Sequence, residues 1–447
     1  MTNRVLVPLI LTASLGVLAQ AQDVEQPDPI ASALHESSPE ERRFHEHVTF
    51  LAHPALEGRL PGSTGSTLAE SMIISTFEQL GLQPGFRSED GSATHRQPFT
   101  FQQGGRFSDR SETRIVEGNN IGAVLPGTGS LSDRWIIIGA HHDHIGRGDF
   151  GSRRGRGEIH EGADDNASGT ASLLLAAELL ARSLPDREDG QADRRSLLFV
   201  TFSGEESGLN GSAHCAENLP MPFESVDLMI NIDMIGRISE EAVSISGVDS
   251  GEGLATLLDG LVTTQGLDIR RPRGLSSRSD HAEFYRRGMP VLFMTESIFP
   301  DEYHTPDDES WLINNRDGAK ASRLLASIID AAATHPDSFP HREIEGFESG
   351  DDGPSLSDIK IRFGIKPGNY GDIEPGIAVA GVSPDTSAED AGLMAGDMLV
   401  FWNRKPIEGV REWMLMMAEH EPGDIVTVGI IRDGEALDLP VMLKPRN

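Results

Sequence analysis

The chain has 447 residues, and its 38 basic and 70 acidic side chains give a formal charge of −32 at pH 7. That length allows two or three domains of roughly 150 residues each. So large an acidic excess argues against nucleic acid and anionic membrane surfaces as partners, because both attract basic proteins.

The first 21 residues have the pattern of a secretory signal peptide. Arg4 supplies a positive charge, residues 5–18 are mostly apolar, and Ala19-Gln20-Ala21 is a small-residue cleavage site. No other stretch approaches ~18 continuous apolar residues, so no membrane insertion is expected. The sequence predicts an exported protein, periplasmic or secreted, whose residues 22–38 form a flexible segment rich in Pro, Glu and Asp.

Strands and helices alternate between residues 39 and 335. Continuous apolar runs predict buried strands, and apolar residues three or four positions apart predict helices. Strands are expected at 120–125, 135–140, 196–202, 227–232 and 290–294, and helices at 38–51, 67–80, 170–181, 252–264 and 316–334. This alternation is typical of an α/β fold, so we expect a three-layer sandwich with a mostly parallel mixed sheet.

Composition changes at about residue 336. Residues 336–357 are rich in Pro, Asp, Glu, Gly and Ser and are predicted to be a linker. Residues 358–447 form a second, β-rich unit. Its predicted strands are 359–365, 376–382, 398–402, 425–431 and 437–443, with a helix near 410–419.

Residue types that bind metals recur where the predicted strands end. They follow three of the strands, precede one helix and lie in one later loop. The side chains are His141, Asp143, Asp165, Glu205, Glu206, Asp233 and His304. Functional sites of open α/β sheets gather at the carboxyl ends of strands, and clustered carboxylates repel one another unless cations neutralise them. Imidazole and carboxylate are zinc ligands, so the pattern predicts a centre with a pair of divalent metals.

The same residues carry a resemblance to a known family. Residues 40–335 resemble peptidase family M28, the dizinc aminopeptidases of the bacterial leucyl aminopeptidase type. The motifs are Ala140-His141-His142-Asp143, Gly162-Ala163-Asp164-Asp165-Asn166-Ala167-Ser168-Gly169, Ser203-Gly204-Glu205-Glu206-Ser207-Gly208, Asn231-Ile232-Asp233-Met234 and Tyr303-His304-Thr305-Pro306. The resemblance implies the zinc exopeptidase fold and two zinc ions per chain, with cobalt or manganese as alternatives.

The resemblance also implies a role for each residue of the site. The metal ligands would be His141 and Asp233 for one zinc, Glu206 and His304 for the other, and Asp165 as the bridge. The catalytic side chains would be Glu205 as general base, Asp143 as the support of the His141 ring, and Tyr303 at the substrate carbonyl or oxyanion. His142 and His144 are expected to line the pocket or face solvent, His281 to be structural or to line the pocket, and Cys215 to be structural. Asp308 is expected to hydrogen-bond near His304 or to cap a turn.

The implied activity is hydrolysis of N-terminal residues from peptides or proteins by a zinc-activated water. Three alternatives remain: a carboxypeptidase, a glutaminyl cyclase-like acyltransferase that uses one zinc, and a non-catalytic peptide-binding protein. A dead enzyme would lack Glu205 or one of the metal ligands, and all of them are present.

The C-terminal unit resembles a PDZ domain. The similarity lies in Phe363-Gly364-Ile365, Gly376-Ile377-Ala378-Val379 and the segment 391–399. PDZ domains bind a peptide C-terminus by adding a strand to a sheet edge. The resemblance implies that backbone N–H groups of Phe363, Gly364 and Ile365 hold the terminal carboxylate. The alternative is a domain that only packs on the peptidase.

Overall fold

The structure is a computed structural model. It describes residues 37–103, 114–148, 150–183, 193–238, 242–261, 266–272, 274–296, 300–344, 347, 359–367, 376–407, 410–432 and 434–445. The predicted signal peptide and nearly all of the predicted N-terminal segment lie outside these residues. Within the described ranges, no helix combines the length and the apolar character that crossing a membrane requires.

Nine α-helices occur in the described residues. They are α1 Pro39–Leu51, α2 Thr64–Gln79, α3 Gly169–Ser183, α4 Asn210–Glu217, α5 Leu254–Asp259, α6 His281–Tyr285, α7 Asn315–Thr334, α8 Ser387–Asp390 and α9 Val410–Ala418. Side-chain caps fix three of the helix starts, since Ser63 accepts from the Ser66 amide, Asn314 from the Asp317 amide and Thr386 from the Glu389 amide.

The strands are numbered in chain order. They are β1 Gln83–Pro84, β2 Phe86–Arg87, β3 Ala93–Thr94, β4 Arg96–Gln103, β5 Arg114–Leu125, β6 Trp135–His141, β7 Ser196–Phe202, β8 Val226–Ile232, β9 Ala242–Ser246, β10 Asp268–Arg270, β11 Val291–Glu296, β12 Ile361–Arg362, β13 Ile365–Pro367, β14 Ile377–Val382, β15 Met398–Trp402, β16 Lys405–Pro406, β17 Ile425–Arg432, β18 Glu435–Met442 and β19 Lys444–Pro445.

A mixed sheet forms the centre of the larger unit. Its strand order is β1-β5-β7-β6-β8-β11-β9-β10, with β4 paired to β5. The four central strands β7, β6, β8 and β11 are parallel, whereas β5 and β9 pair antiparallel on either side of them. The predicted α/β fold with a mixed sheet is confirmed. The carboxyl ends of the four parallel strands meet at one edge.

Helices cover both faces of this sheet. Ile136 and Ile138 of β6 are buried in a core shared with α1, α2, α3, α5 and α7. Ile137 between them is buried in a second core on the opposite face, with Cys215 of α4 and Phe284 of α6. A central strand needs apolar side chains on both faces, which explains the continuous apolar run of β6. These are the three predicted layers.

Part of the segment predicted as a linker packs on the larger unit. Phe339 is buried in the first core, and Ile344 and Phe347 pack against the second. The Tyr285 hydroxyl donates to the Arg342 carbonyl at 3.1 Å and accepts from the Ile344 amide at 2.6 Å. Residues 339–344 and Phe347 therefore contribute to the stability of the larger unit.

The C-terminal unit is β-rich, as predicted. Strands β13, β14, β15, β17 and β18 form an antiparallel sheet, with β16 paired to β15. Its core holds Phe363, whose ring centroid lies 5.3 Å from that of Trp402 and 5.3 Å from that of Trp413. All residues of this core fall between 359 and 443, so the unit has a hydrophobic core of its own.

Candidate metal centre

The carboxyl edge of the parallel strands carries the predicted site. His141 is the last residue of β6, Asp233 directly follows β8, and Glu205 and Glu206 follow β7 by three and four residues. His141 pairs in register with Phe202, the last residue of β7, so the two strands end at the same level. Two further ligand candidates come from elsewhere: Asp165 lies in a π-helical turn before α3, and His304 in a loop after β11.

The structure brings all five predicted metal ligands together. Asp165 lies between two histidines, with Oδ1 3.3 Å from Nε2 of His141 and Oδ2 3.0 Å from Nε2 of His304. Asp233 Oδ1 is 3.3 Å from the same nitrogen of His141, and Glu206 Oε2 is 3.0 Å from that of His304. The five side chains thus form two groups that share Asp165.

The donor atoms fit metal ions better than they fit one another. Asp233 Oδ1 and His304 Nε2 are buried and have no hydrogen-bond partner among the described residues. His141 Nδ1 faces the Asp143 carbonyl at 3.2 Å, and His304 Nδ1 faces the Gly151 carbonyl at 3.0 Å. A carbonyl can only accept, so each Nδ1 donates and each Nε2 keeps a free lone pair. This is the usual second contact of a metal-binding histidine.

The charge of the centre favours divalent cations. Asp165, Glu205, Glu206 and Asp233 would together carry a formal charge of −4, which two divalent ions would balance. Burial lowers the pKa of His141, but the carboxylates of Asp233 and Glu205 outweigh burial and raise that pKa well above its usual value. The field that favours a proton here also favours a metal cation.

Two side chains that were not predicted as ligands, Glu205 and His144, lie close to the predicted ligands. Ligand atoms within 4.8 Å of one another form the sets His141, Glu205, Asp233 and His144, Asp165, Glu206. His144 is fully buried, and its Nδ1 lies 2.6 Å from Oε1 of Glu206. His144 therefore does not face solvent, which was one of the two expectations for it, and it supports a predicted ligand.

Asp143 connects the predicted ligand His141 to the predicted base Glu205. Its Oδ1 lies 3.7 Å from Nδ1 of His141 and accepts a hydrogen bond of 3.2 Å from the Glu205 amide. Glu205 Oε2 lies 4.0 Å from Nε2 of His141. Burial, more than any charge, raises the pKa of Glu205 well above that of an exposed carboxyl. A raised pKa suits a group that must take up and later release a proton.

Tyr303 lies against the predicted ligand that follows it. Its ring stacks on the His304 imidazole, with centroids 3.9 Å apart and planes 22° apart, and the Arg153 guanidinium carbon lies 4.6 Å from the ring centroid. Burial and the nearby carboxylates raise the pKa of Tyr303 well above 10. The phenol therefore stays protonated at neutral pH and can donate a hydrogen bond.

The sequence did not predict the roles of two residues that support the ligands, Ser279 and Asp308. Ser279 Oγ donates to Oδ2 of Asp233 at 2.7 Å. Asp308 had been expected to bond near His304 or to cap a turn, and its carboxylate accepts from the amides of Asp164 and Asp165 at 2.9–3.1 Å. Asp308 thus fixes the turn that presents Asp165. Ser279 had no sequence signal, because 46 residues separate it from Asp233.

His281 and Cys215, which were not predicted as ligands, lie outside the ligand groups. His281 is fully buried, donates from Nε2 to the Ser276 carbonyl at 2.6 Å and stacks on Phe293. Cys215 is fully buried too, and burial raises the pKa of its thiol to about 12. A thiol with that pKa is not a nucleophile at neutral pH.

The predicted peptide loop of the C-terminal unit is held by its own domain. The Phe363 side chain lies in the core, and Ile365 begins a strand paired with β14. Gly364 has φ +95°, and a Cβ there would lie 2.2 Å from Cβ of Thr386, so only glycine fits. The side chain of Phe363 is thus not available to a ligand, and the role of the loop in peptide binding stays a prediction that depends on its backbone.

The fold and the site together define a class of α/β protein with a metal centre at the carboxyl edge of a parallel sheet. Comparison with known families narrows that class. Residues 120–329 match the model of "Peptidase family M28", and residues 359–443 match the model of "PDZ domain". The chain contains a peptidase family M28 domain followed by a PDZ domain, as the sequence motifs predicted.

Curated relatives of two activities resemble the peptidase part. A "Probable leucine aminopeptidase" of Arthroderma otae is 29% identical over 220 residues, which cover 48% of this chain and 56% of that protein. A "Glutaminyl-peptide cyclotransferase" of Boiga irregularis is 26% identical over 320 residues, which cover 62% and 78%. The first match spans little more than half of the relative, and the family alone does not choose between the two activities.

Solved structures of the same two kinds align with part of this chain. The Legionella pneumophila LapA aminopeptidase aligns with a TM-score of 0.48 and 20% identity over 74% of this chain and 81% of that one. The Porphyromonas gingivalis glutaminyl cyclase aligns with a TM-score of 0.49 and 17% identity over 65% and 97%.

Proposed function

We propose that this protein is an exported metallo-aminopeptidase that uses two zinc ions to remove N-terminal residues from peptides. The observation that carries the proposal is the position of Asp165, whose two carboxylate oxygens face two different histidines at 3.3 and 3.0 Å. A carboxylate placed in this way can bridge two metal ions. The named activity of the leucine aminopeptidase relative supports the choice of substrate end.

Each side chain of the site has its own role in the proposed reaction. Zinc held by the two groups would supply Lewis acidity, which lowers the pKa of water and polarises a peptide carbonyl. Glu205 removes the proton from the attacking water and passes it to the departing amine. The Asp143 carboxylate holds the Glu205 amide, which fixes where that proton transfer takes place. Tyr303, protonated at neutral pH, donates to the developing oxyanion.

The deciding experiment combines metal content with substrate choice. Purified protein should contain two zinc ions per chain and release free N-terminal residues from aminoacyl anilides and peptides. It should leave N-acetylated peptides intact, because a blocked amine removes the group by which an aminopeptidase recognises its substrate. Release of C-terminal residues instead would show a carboxypeptidase and contradict the proposal.

Glutaminyl cyclisation is the second candidate, because the cyclotransferase match covers 62% of this chain against 48% for the aminopeptidase. Peptides that begin with glutamine separate the two, since hydrolysis releases free glutamine whereas cyclisation releases ammonia and leaves a blocked peptide. One zinc per chain together with ammonia release would establish the cyclase.

Glu205→Gln tests the proposed base. The substitution keeps size and polarity but cannot accept a proton, so kcat should fall by about 10²–10⁴-fold while the zinc content stays at two. Glu217→Gln is the matched control, because Glu217 is an exposed residue whose carboxylate pairs with Arg287 at 2.6 Å. Retained turnover in Glu205→Gln would assign the base elsewhere.

Export rests on the pattern of residues 1–21. Expression of the full chain in a Gram-negative host should yield a mature protein that begins near Gln22 and is found outside the cytoplasm. N-terminal sequencing of the purified protein measures this directly, and a cytoplasmic product that still begins at Met1 would contradict export.

The PDZ domain is proposed to bind the C-terminus of peptides. Backbone N–H groups near Gly364 would hold the carboxylate, since the side chain of Phe363 is buried in the core. Fluorescence anisotropy with labelled peptides should show binding that disappears when the C-terminus is amidated. Equal binding of free and amidated peptides would favour a domain with another role.

A further inference from the structure

Arg59 is a fully buried arginine at a backbone position that normally takes glycine. It ends the short turn Pro54–Arg59 after α1, its φ is 47°, and its side chain has no exposed surface. The left-handed region is unfavourable for residues with a Cβ, and burial of a guanidinium is costly. Both costs must be offset by contacts that the Arg59 side chain makes in the folded protein.

The guanidinium donates to four backbone carbonyls. Nε donates to His142 at 2.8 Å, Nη2 to Gly162 at 2.8 Å, and Nη1 to both Leu51 and Glu161 at 2.6 Å. One rigid group therefore fastens three chain segments: the end of α1, the end of β6 and the loop before α3. The five N–H donors of arginine in one plane make this possible, whereas lysine has a single ammonium.

Two of these segments carry predicted metal ligands. His142 follows the ligand His141 directly, and Gly162 stands just before the π-helical turn Ala163–Ser168 that presents Asp165. His141 and Asp165 themselves meet at 3.3 Å between Nε2 and Oδ1. Arg59 thus holds the backbone on both sides of this contact.

The turn also packs tightly against the neighbouring loops. The Gly58 carbonyl accepts from the Gly146 amide at 3.1 Å, and a Cβ on Gly58 would lie 2.3 Å from the carbonyl oxygen of His160. This leaves the Arg59 backbone little room to move. The position of the guanidinium is therefore fixed from both ends of the residue.

The charge of Arg59 acts on the centre without an ion pair. Among the described residues, no carboxylate lies within ion-pair distance of its nitrogens. Burial lowers the pKa of Arg59 to about 10, and the carboxylates of Asp308, Asp143, Asp165 and Glu206 act against that shift. The side chain is therefore a permanent cation at neutral pH, in the field of the clustered carboxylates.

We propose that Arg59 is a positioning residue of the metal centre, which holds the segments that carry His141 and Asp165 at the spacing that two zinc ions require. The proposal rests on the proposed dizinc function, because it assigns Arg59 a role towards those ions. The Arg59 side chain is fully buried and donates to backbone carbonyls, so it acts through the segments that carry the ligands. Its loss should change metal affinity first and turnover as a consequence.

The test compares two buried arginines. Arg195 is also almost fully buried; its Nε donates to Asp227 at 2.6 Å and its other nitrogens donate to the carbonyls of Ala332, His335 and Asp337. It directly precedes β7, at the amino edge of the sheet and away from the site. Arg59→Lys and Arg195→Lys therefore remove similar buried contacts, but only the first lies beside the metal ligands.

Zinc dissociation constants, measured by competition with a chelator at fixed pH, give the readout. Arg59→Lys should weaken zinc binding by about 10–100-fold, the usual effect of losing an outer support of metal ligands. Arg195→Lys should lower the Tm to a similar degree and bind zinc as the unmodified protein does. Wild-type zinc affinity in Arg59→Lys, or equal weakening in both variants, would overturn the proposal.

A second measurement covers variants of low stability. Arg59→Gln keeps part of the hydrogen bonding, and its Tm can be followed against free zinc, because ligand linkage raises the Tm only above the dissociation constant. The zinc concentration at which half of the rise in Tm is reached should be higher in Arg59→Gln than in the unmodified protein, and it should be unchanged in Arg195→Lys. An unchanged concentration in Arg59→Gln would overturn the proposal. A wild-type protein without zinc-dependent stabilisation would instead remove the proposed function itself.

Discussion

At the scale of single residues, each half of the predicted centre has its own support. His144 contacts Glu206 at 2.6 Å, on the side of His304, and Ser279 donates to Asp233 at 2.7 Å, on the side of His141. Ser279 in turn accepts from the Asn231 amide group at 2.8 Å, so its hydroxyl hydrogen points to the carboxylate. Such outer contacts orient ligands and raise the affinity for a metal.

We predict that the two supports act on different ions. His144→Ala should weaken binding of the zinc held by Glu206 and His304, and Ser279→Ala that of the zinc held by His141 and Asp233, each by about 10–100-fold. Stepwise removal of zinc by a chelator, followed by refilling with cobalt and absorption spectroscopy, separates the two sites. Ser250→Ala is the control, since Ser250 is equally buried but donates to the carbonyl of Val291.

If both variants weakened the binding of the same zinc ion, the two groups of ligands would not form separate sites. No change in either variant would show that these hydrogen bonds do not orient the ligands.

Sequence reasoning found the ligands but not their supports, and the reason is geometric. A ligand at a strand end has a position that the strand pattern fixes, as for His141 and Asp233. His144 lies in an irregular loop, where no periodicity tells which way a side chain points. Arg59 makes contacts with residues 83 and 103 positions away, and spacing along the chain gives no sign of them.

At the scale of elements, the strands buried on both faces were the most predictable. The prediction for β7 at 196–202 matches the structure, and that for β6 ends one residue early. Strand β4 was not predicted, because its sequence Arg96–Gln103 is mostly polar, contains a proline and has only Phe99 and Phe101 as large apolar residues. The expected helix at 252–264 is shorter, as α5 ends at Asp259 before Gly260.

Helix α1 contains a buried histidine that should make stability depend on pH. His47 lies beside Phe44 and Val48 on the buried side of the helix, and its Nε2 has no hydrogen-bond partner among the described residues. Burial, followed by the charge of Arg43, lowers the pKa of His47 to about 4. The unfolded chain binds this proton at about pH 6.5, so it takes up the proton first as the pH falls.

We therefore predict that His47 costs the folded state stability between about pH 6.5 and pH 4. The folded state favours neutral His47. The contribution of His47 to the free energy of unfolding is therefore fully present above about pH 6.5, and it declines by ~3 kcal/mol as the pH falls to about 4. In His47→Leu, the loss of stability that is due to protonation of His47 should vanish. Urea unfolding of both proteins at pH 7 and 4.5 measures it, because the comparison cancels changes that both share.

His45→Leu is the control on the same helix, since His45 is only half-buried and bonds to Thr49 and Asn315. An unchanged pH dependence in His47→Leu would mean that His47 is not kept neutral in the fold.

At the scale of the whole molecule, separate hydrophobic cores explain how one chain carries two domains. The core residues of the PDZ domain all lie between 359 and 443, and those of the peptidase sheet end with Phe339, with Ile344 and Phe347 packed at the margin. Composition placed the change at about 336, where polar residues begin. It could not show that isolated apolar residues beyond that point pack back on the peptidase, because three single side chains form no periodic pattern.

Truncation should therefore have opposite results on either side of this margin. A chain that ends at residue 358 keeps Phe339, Ile344 and Phe347 and should retain the zinc content of the full protein and its turnover of small aminoacyl substrates. A chain that ends at residue 335 loses the buried Phe339 ring and the hydrogen bonds of Tyr285 to Arg342 and Ile344. Removal of a buried phenylalanine alone costs about 3–5 kcal/mol, so the shorter chain should unfold at clearly lower urea concentration. Equal stability of the two chains would place the boundary at 335, and loss of zinc from the longer one would show that the peptidase needs its PDZ domain to hold the metal centre together.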